Sequence, residues 1–447
     1  MEIDYSRILA EFVAQISYAD LDDETIEKTK QCVLDYMGVA IGGSLTSLGK
    51  LWFEQYESQA NRPEAAVWTP GFPRLSYSHA AAVNAANGHL LDYDDLHNSS
   101  IVHPATVTIP TALAVGQQLG SSGEDVIAAI VAGFEVATRL GEAINPSSYW
   151  FWHTTAVVGS FSAAAVAGHL FGFDPEAMNQ CLGTAGTQAS GLWQFLEDGA
   201  DSKSLHVARA NLNGILAADL TQRGFTGARR ILEGEKGFIR AVAAEPKWNA
   251  LIDGFGQPFK VMGNSFKPYA CCRHTHAGNY AVRELMVENE LAFEDIETIT
   301  DDTYQTALDI TDNPDPKTPY GHKFSLQYTL AAMARYGRLT PDEFDPRATA
   351  DAGVRQLMHK VTLRAPEYVN SQFLADQDRW IHEVTLVLKD GREFSRRVDY
   401  PIGDFNNPLG WTQLAAKFDS LVPDGELRAL AAKVQTLETL PDINGLF

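Results

Sequence analysis

Chemically reactive side chains concentrate in five short segments of the chain. The first, residues 92–104, holds three carboxylates and two imidazoles, and its candidate functional residues are Asp92, His97 and His103. Because a helix rich in small residues precedes it and an apolar helix follows, the segment is predicted to be a turn. Its aspartates suit helix capping as well as chemistry. His103 is better explained as a group that moves a proton or binds a ligand.

The second and third segments lie at predicted helix starts. His153 precedes a helix over 156–170, where the helix dipole disfavours the charged imidazole and leaves a neutral group able to accept a proton. Lys203 and His206, three residues apart, share one face of a helix that runs to Leu220. A lysine is unfavourable for stability at a helix start, whereas the free N–H groups there favour an anion. Lys203 therefore indicates a carboxylate site, with a solvated lysine and a packing histidine as the alternatives.

The fourth segment, residues 266–276, is dense in cationic and imidazole side chains, which are Lys267, Arg273, His274 and His276. Arg273 can hold a carboxylate through two parallel hydrogen bonds, so the segment is predicted to clamp an anion. A solvated basic turn is one alternative. Zinc bound by Cys271, Cys272 and the two histidines is another, but adjacent cysteines lack the usual ligand spacing. We therefore expect no metal.

The fifth segment supplies two tyrosines that could donate a proton. Tyr304 lies on a strand predicted over 296–307, and Tyr328 lies at the start of a helix predicted over 325–335. Packing in the core or at a sheet edge is the more common role of a tyrosine, and it stays open for both.

Composition limits what these segments can bind. The chain has 447 residues, of which 45% are hydrophobic, so it can bury a large core and is expected to form two domains. Its net charge of -22 repels nucleic acid and anionic lipid, and we expect neither as a partner. An anionic substrate would need a local cluster of cations to overcome the same field.

Cysteine usage and hydropathy indicate where the protein works. Four cysteines make no disulfide framework, and no signal peptide is evident at the start of the sequence, so a reducing cytoplasm is expected. The apolar stretches 126–134 and 156–170 fall short of the roughly 20 residues that a membrane span needs. Both are predicted to be buried helices.

Hydrophobic periodicity predicts a mainly α protein. Residues 5–239 repeat apolar or small residues at three and four spacing, whereas strand patterns follow residue 263, including a hairpin of 383–388 with 393–398 around Asp390-Gly391. A helical tail over 411–434 is expected to pack on the first domain. We therefore predict a large all-helical domain of residues 1–262 with 405–447 and a smaller α+β lid domain of residues 263–404.

Four motifs resemble those of the MmgE/PrpD family, which includes 2-methylcitrate dehydratase, cis-aconitate decarboxylase and iminodisuccinate epimerase. They are DYDD at 92–95 with HPA at 103–105, GADSKSLH at 199–206, GFTG at 224–227 and KPYACCRHTH at 267–276. The resemblance runs from near the N-terminus to about Tyr328. It implies a helical domain, an α+β lid, a homodimer, and a cleft between domains that uses no metal or organic cofactor.

The decarboxylase branch of this family has cleft residues that can be carried over by motif. They fall on Asp92, His103, His153, Lys203 and Lys267. An ungapped alignment puts Cys272 where that branch has a third histidine, so His274 or His276 would take its place, and the branch's tyrosine falls near Tyr304. The segment around His103 differs from the dehydratase branch.

The resemblance implies a cofactor-independent lyase, a dehydratase or decarboxylase, that handles a carbanion next to a carboxylate of a small polycarboxylate. Lys203, Lys267 and Arg273 would offset substrate charge, with His97 and His206 as further binding residues. His103 and His153 would move the proton, with Asp92 orienting His103, and with His274, His276 and Tyr304 as further catalytic candidates. An epimerase of a dicarboxylate such as iminodisuccinate is the first alternative. A metal-dependent hydrolase and a non-catalytic organic-anion binding protein are the others.

Overall fold

The computed structural model describes residues 3–59, 62–376 and 378–447, and within them the fold is mainly α. The helices are α1 (Tyr5–Gln15), α2 (Asp23–Ser44), α3 (Ser47–Glu57), α4 (Tyr77–Leu90), α5 (Ile109–Leu119), α6 (Gly123–Ile144), α7 (Thr154–Leu170), α8 (Pro175–Gly186), α9 (Gln194–Asp198), α10 (Ser202–Gln222), α11 (Phe238–Val242), α12 (His276–Glu288), α13 (Gln305–Thr311), α14 (Pro319–Lys323), α15 (Leu326–Tyr336), α16 (Pro346–Thr349), α17 (Ala352–Met358), α18 (Glu367–Ala375), α19 (Trp411–Leu421) and α20 (Leu430–Gln435). The strands are β1 (Ala65–Ala66), β2 (Arg74–Leu75), β3 (Leu96–His97), β4 (Asn264–Ser265), β5 (Ile296–Asp302), β6 (Val361–Arg364), β7 (His382–Leu388) and β8 (Glu393–Val398).

The chain divides into two compact units. The first comprises Met1–Leu90, Asp94–Ser265 and Gly410–Phe447, and the second comprises Leu91–Tyr93 and Phe266–Leu409. Each unit therefore contains more than one stretch of the sequence, and the short segment 91–93 belongs to the second.

Small residues hold the helices of the first unit close together. Helix α7 is buried along nearly its whole length and packs against α6, α8 and α10. A Cβ atom at Gly214 of α10 would lie only 2.4 Å from the Cβ of Ala163 in α7, so only glycine permits this approach. This packing fixes the starts of α7 and α10, where His153 and Lys203 lie.

The second unit is built on a four-stranded sheet of order β6-β5-β7-β8. Strands β5 and β6 are parallel, and the other pairs are antiparallel. The β7–β8 hairpin pairs Val387 with Glu393, and its turn contains Gly391 at φ +89°. Helix α12 packs on β7 and β8, so the segment that precedes it is anchored to the sheet.

The predicted mainly α character, the hairpin and the helix around 325–335 are confirmed, and 126–134 and 156–170 lie in the buried helices α6 and α7. The helical tail is split into α19 and α20, which belong to the first unit. The strand predicted over 296–307 is wrong beyond Asp302. Because Ala307 and Thr311 are buried at helical spacing, residues 305–311 form α13, and Tyr304 precedes this helix instead of lying on a strand.

No single helix among the described residues is long and apolar enough to cross a bilayer. Over the described part of the chain, one pair of helices, α2 and α3, meets the length and composition criteria together, and it is bent by 87° at the junction.

Candidate functional site

Four histidines cluster in the first unit. His89 is the next-to-last residue of α4, and His153 occupies the N-cap position of α7. His206 lies in the second turn of α10, and His103 lies in the predicted turn after β3. The ring centroid of His89 lies 4.9 Å from that of His103 and 5.7 Å from that of His153. The ring centroids of His153 and His206 are 5.4 Å apart. The structure thus brings together three predicted site histidines and adds His89.

The main chain fixes the tautomer of His103. Its Nδ1 lies 2.6 Å from the carbonyl oxygen of Asp95, so Nδ1–H donates to that oxygen. In the neutral imidazole Nε2 then carries the lone pair and can accept a proton. The backbone N–H of His103 donates to Oγ1 of Thr155 at 3.1 Å, which ties the turn to the first turn of α7.

Asp94 is the carboxylate that contacts two of these histidines. Its Oδ2 lies 2.6 Å from Nδ1 of His89 and 3.5 Å from Nδ1 of His103, and the side chains of Asp94 and His89 are fully buried. The neighbouring Asp95 accepts from the N–H of Ala105. Burial, together with the nearby Asp94 and Asp35, raises the pKa of Asp95 well above its usual value.

His153 and His206 are joined directly, with their Nδ1 atoms 3.1 Å apart. Burial is the main reason that the pKa of His153 is lowered well below its usual value and that of His206 to about 4, and the ammonium of Lys203 lowers both further. Both imidazoles are therefore neutral at neutral pH. Lys203 itself is 5% exposed, so it is not a solvated surface lysine.

Aromatic side chains enclose the same pair. The ring of Trp193 lies 4.8 Å from that of His153, and the ring of Phe195 lies 5.3 Å from that of His206 at nearly a right angle. This apolar wall supplies the desolvation that keeps the imidazoles uncharged.

In the second unit, Lys267 pairs with Asp92. The Nζ atom lies 3.3 Å from Oδ2 of Asp92 and 3.1 Å from its carbonyl oxygen, and each side chain is 1% exposed. Asp92 adopts φ +51°, which turns its carbonyl toward the lysine in a conformation that Asn and Asp tolerate best. The role of Asp92 in orienting His103 stays a prediction, and Oδ2 of Asp94 lies 3.5 Å from Nδ1 of His103.

Arg273 is held by a carboxylate of the protein. Its Nη2 donates to Oδ2 of Asp404 at 2.6 Å, and its Nη1 lies 3.4 Å from Nδ1 of His276. Because Nδ1 accepts there, Nε2–H of His276 donates to the carbonyl oxygen of Cys271 at 3.2 Å. Burial, with Arg273 and Lys267 nearby, lowers the pKa of His276 well below its usual value.

His274 and Tyr304 form a second imidazole site in this unit. Nδ1 of His274 lies 2.6 Å from the hydroxyl of Tyr304, and the His274 ring stacks on Trp380 at 4.3 Å. Burial lowers the pKa of His274 to about 3, helped by His382, Arg273 and Lys267. A neutral imidazole bonded to a buried phenol can exchange a proton with it.

Other candidates have separate surroundings. Nδ1 of His97 lies 3.0 Å from Oγ of Ser100, and burial lowers its pKa to about 4, with Glu142 opposing the shift. The Tyr328 hydroxyl donates to the carbonyl oxygen of Glu343, which is a packing role. Among the described residues, the one group of at least three potential metal ligands within 4.8 Å of one another is His89, Asp94 and His103. The cysteine and histidine set of 271–276 does not form such a group there.

Comparison with known proteins defines the family. The profile of the MmgE/PrpD N-terminal domain matches residues 7–251, and that of the C-terminal domain matches residues 269–438. The chain belongs to the MmgE/PrpD family. The resemblance of the four motifs is thereby confirmed.

Relatives within the MmgE/PrpD family are distant. A cis-aconitate decarboxylase-like protein of Aspergillus oryzae is 24% identical over 98% of this chain and 95% of the relative. The cis-aconitate decarboxylase of Homo sapiens is 27% identical over 95% of this chain and 90% of its own length. The 2-methylcitrate dehydratase of Escherichia coli is 27% identical over 42% of each chain.

The sequence analysis did not predict a role for His89, or the contacts of Asp94 with both His89 and His103. His89 could have been identified from the sequence, because it follows the helix of small residues just before the DYDD motif. The signal is that His89 is a polar residue at the end of an otherwise apolar helix and lies five positions before Asp94. His206 was predicted as a binding residue, but its bond to His153 was not expected.

Proposed function

We propose that this protein is a cofactor-independent lyase, a dehydratase or decarboxylase, that acts on a small polycarboxylate by proton transfer at a carbon next to a carboxylate. The observation that carries the proposal is the buried cluster of imidazoles beside Lys203 in the first unit. Family membership supports the same class of reaction.

Neutral imidazoles suit this chemistry because they can accept a proton at one nitrogen while donating from the other. His103 and His153 are the proposed acid and base. We propose that Asp94 orients His103 and that Asp92 holds Lys267 in place. His274, His276 and Tyr304 remain candidates for a further proton transfer.

Charge compensation for the substrate is proposed for Lys203, Lys267 and Arg273 together. Within the protein, Lys267 pairs with Asp92 and Arg273 pairs with Asp404. In a chain with a net charge of -22, a buried ammonium beside neutral imidazoles supplies the local positive potential that a polycarboxylate needs. His97 and His206 were expected to bind substrate, and the surroundings of His97 give that role little support.

Decarboxylation is the first reaction to test. The relatives named as cis-aconitate decarboxylases match nearly the whole chain, whereas the named 2-methylcitrate dehydratase of Escherichia coli matches 42% of it. Epimerisation of a dicarboxylate such as iminodisuccinate poses the same problem of a carbanion next to a carboxylate and is the runner-up.

An NMR time course in deuterated water tests the proposal. Purified protein is incubated separately with cis-aconitate, 2-methylcitrate and iminodisuccinate, and the positions of deuterium in the products are read. Solvent deuterium at one product carbon with loss of carbon dioxide supports a decarboxylase, and loss of water, in which a carbon-bound proton passes to solvent, supports a dehydratase. Deuterium incorporation with inversion and no loss identifies the epimerase. Tight binding of a polycarboxylate without any product would overturn an enzymatic function.

We also propose a cytoplasmic homodimer whose contact comes mainly from the helical part of the chain. Light scattering at micromolar concentration should give twice the chain mass of 49.0 kDa. A mass near that of one chain would contradict the dimer.

A further inference from the structure

The bond between His153 and His206 imposes a constraint on their protons. Each neutral imidazole carries one N–H, and two facing Nδ1 atoms at 3.1 Å form a hydrogen bond only if one of them is protonated. The pair therefore has two arrangements. In one, His153 holds its proton on Nδ1 and has a bare Nε2; in the other, His206 holds the shared proton and His153 is protonated on Nε2.

Exposure differs across this bond. His153 is 2% exposed, and its backbone N–H donates to the carbonyl oxygen of Gly191 at 3.1 Å, which holds it in place. His206 is only partly buried. The pair thus runs from a desolvated imidazole to one that water reaches.

We infer that His153 and His206 form a relay that carries the reaction's proton between the buried site and solvent. This inference rests on the proposed lyase function and adds His206 as its outer proton-transfer residue. A proton taken up at Nε2 of His153 is matched by transfer of the Nδ1 proton to Nδ1 of His206, and His206 releases its Nε2 proton to water. One proton enters and one leaves, and both imidazoles end neutral. The same steps in reverse deliver a proton from water to a substrate carbanion.

Neighbouring groups favour a concerted proton transfer through His153 and His206 over a long-lived imidazolium on either residue. Lys203 lies on the same helix as His206, and His89 and His103 lie near His153, so an imidazolium in the pair meets cationic or imidazole groups. Shuttling through two neutral tautomers avoids that repulsion.

The experiment separates a relay from a hydrogen bond that only positions His153. In His206→Asn the side-chain amide reaches the position of Nδ1 and keeps a hydrogen bond to His153, but it cannot pass a proton onward. His206→Ala leaves a space that free imidazole can fill. His169→Asn is the matched control, because His169 is also partly buried in the first unit and only bonds the carbonyl oxygen of Val13.

With whichever polycarboxylate the wild-type protein converts, we expect kcat to fall about 10²-fold in His206→Asn and His206→Ala. Added imidazole should restore His206→Ala at least about tenfold, and His169→Asn should match the wild type. A His206→Asn protein that keeps kcat, or a His206→Ala protein that imidazole does not restore, overturns the relay. If the wild type converts none of the three polycarboxylates, the proposed function fails instead.

A measurement on the wild type covers the case in which the variants do not fold. Imidazole ¹⁵N shifts of His153 and His206 should each be averages of protonated and bare nitrogen, since both tautomers are populated. A fixed tautomer on each ring, with one Nδ1 always protonated and the other always bare, overturns the relay without reference to activity.

Discussion

The Nζ atom of Lys267 lies 3.3 Å from Oδ2 of Asp92 in a pair whose side chains are each 1% exposed. Removing one partner of such a pair leaves an uncompensated charge in the interior, which costs about 3–5 kcal/mol. Lys267→Met should therefore lower the free energy of unfolding by about that amount in urea titration. Asp92→Asn keeps a residue that tolerates φ +51°, so its loss should reflect the unpaired Lys267 ammonium without added backbone strain.

The double variant distinguishes pairing from packing. Asp92→Asn with Lys267→Met should be more stable than Lys267→Met alone, because no buried charge is left without a partner. Additive losses in the double variant would contradict a direct interaction between these two residues.

A second prediction concerns pH. The pKa of the His97 imidazole is lowered from 6.5 to about 4 by burial, so the unfolded chain binds a proton at this residue between these two values and the folded chain does not. The contribution of the neutral His97 to the free energy of unfolding is fully present above pH 6.5 and falls as the pH drops toward 4. At 1.36 kcal/mol per pKa unit, the loss is about 3 kcal/mol.

His97→Gln removes this proton-binding site and supplies the control. Between pH 7 and 4 the free energy of unfolding of the wild type should fall by about 3 kcal/mol more than that of His97→Gln. Asp95 has a raised pKa and acts in the opposite direction, but it is present in both proteins and cancels in the difference. Parallel pH profiles for the two proteins would contradict a neutral buried His97.

Much of the fold was predictable because local patterns agree with it. Asp390-Gly391 between alternating strands predicted the β7–β8 hairpin, and apolar or small residues at three and four spacing predicted the helices of residues 5–239. Prediction from local pattern failed after Tyr304. The polar and apolar residues of 305–311 are mixed in an order that fits a strand or a short helix equally well. The burial of Ala307 and Thr311 decides for the helix, and burial is a tertiary property.

The site was predictable by segment but not by pairing. The motifs located Lys203, His153 and His103, yet the bond of His153 to His206 joins residues 53 positions apart, and no local spacing encodes it. Asp92 and Asp94 differ by two positions and belong to different units, so one pairs with Lys267 and the other with His89. Composition alone cannot divide them, because both are aspartates of the same DYDD motif and only Asp92 of the two has a positive φ.

A third prediction is that activity survives removal of metal. His89, Asp94 and His103 could share an ion, but Nδ1 of His103 already donates to Asp95 and Nδ1 of His89 lies at hydrogen-bond distance from Asp94. An ion held through these Nδ1 atoms would have to displace both bonds. Protein dialysed against a chelator, with its metal content checked by elemental analysis, should keep its turnover. Loss of turnover that one added metal restores would instead favour a metal-dependent hydrolase.

The last prediction concerns Lys203, the second residue of α10. A buried cation at a helix start is unfavourable for stability, so Lys203→Ala should leave the melting temperature unchanged or slightly raised. The same change should reduce turnover by about 10²-fold or more, because it removes the charge that stabilises the developing carbanion. It should also raise the pKa values of His153 and His206, which this ammonium lowers, and so shift the acid limb of the pH–rate profile upward.

Lys203→Arg keeps the charge but not a group that readily gives up a proton, so recovery with Arg assigns an electrostatic role and no recovery assigns proton transfer. Lys50→Ala, at an exposed lysine in the first turn of α3, is the control and should change neither property. If Lys203→Ala keeps full turnover and melts several degrees lower, Lys203 is structural and its place in the site is wrong.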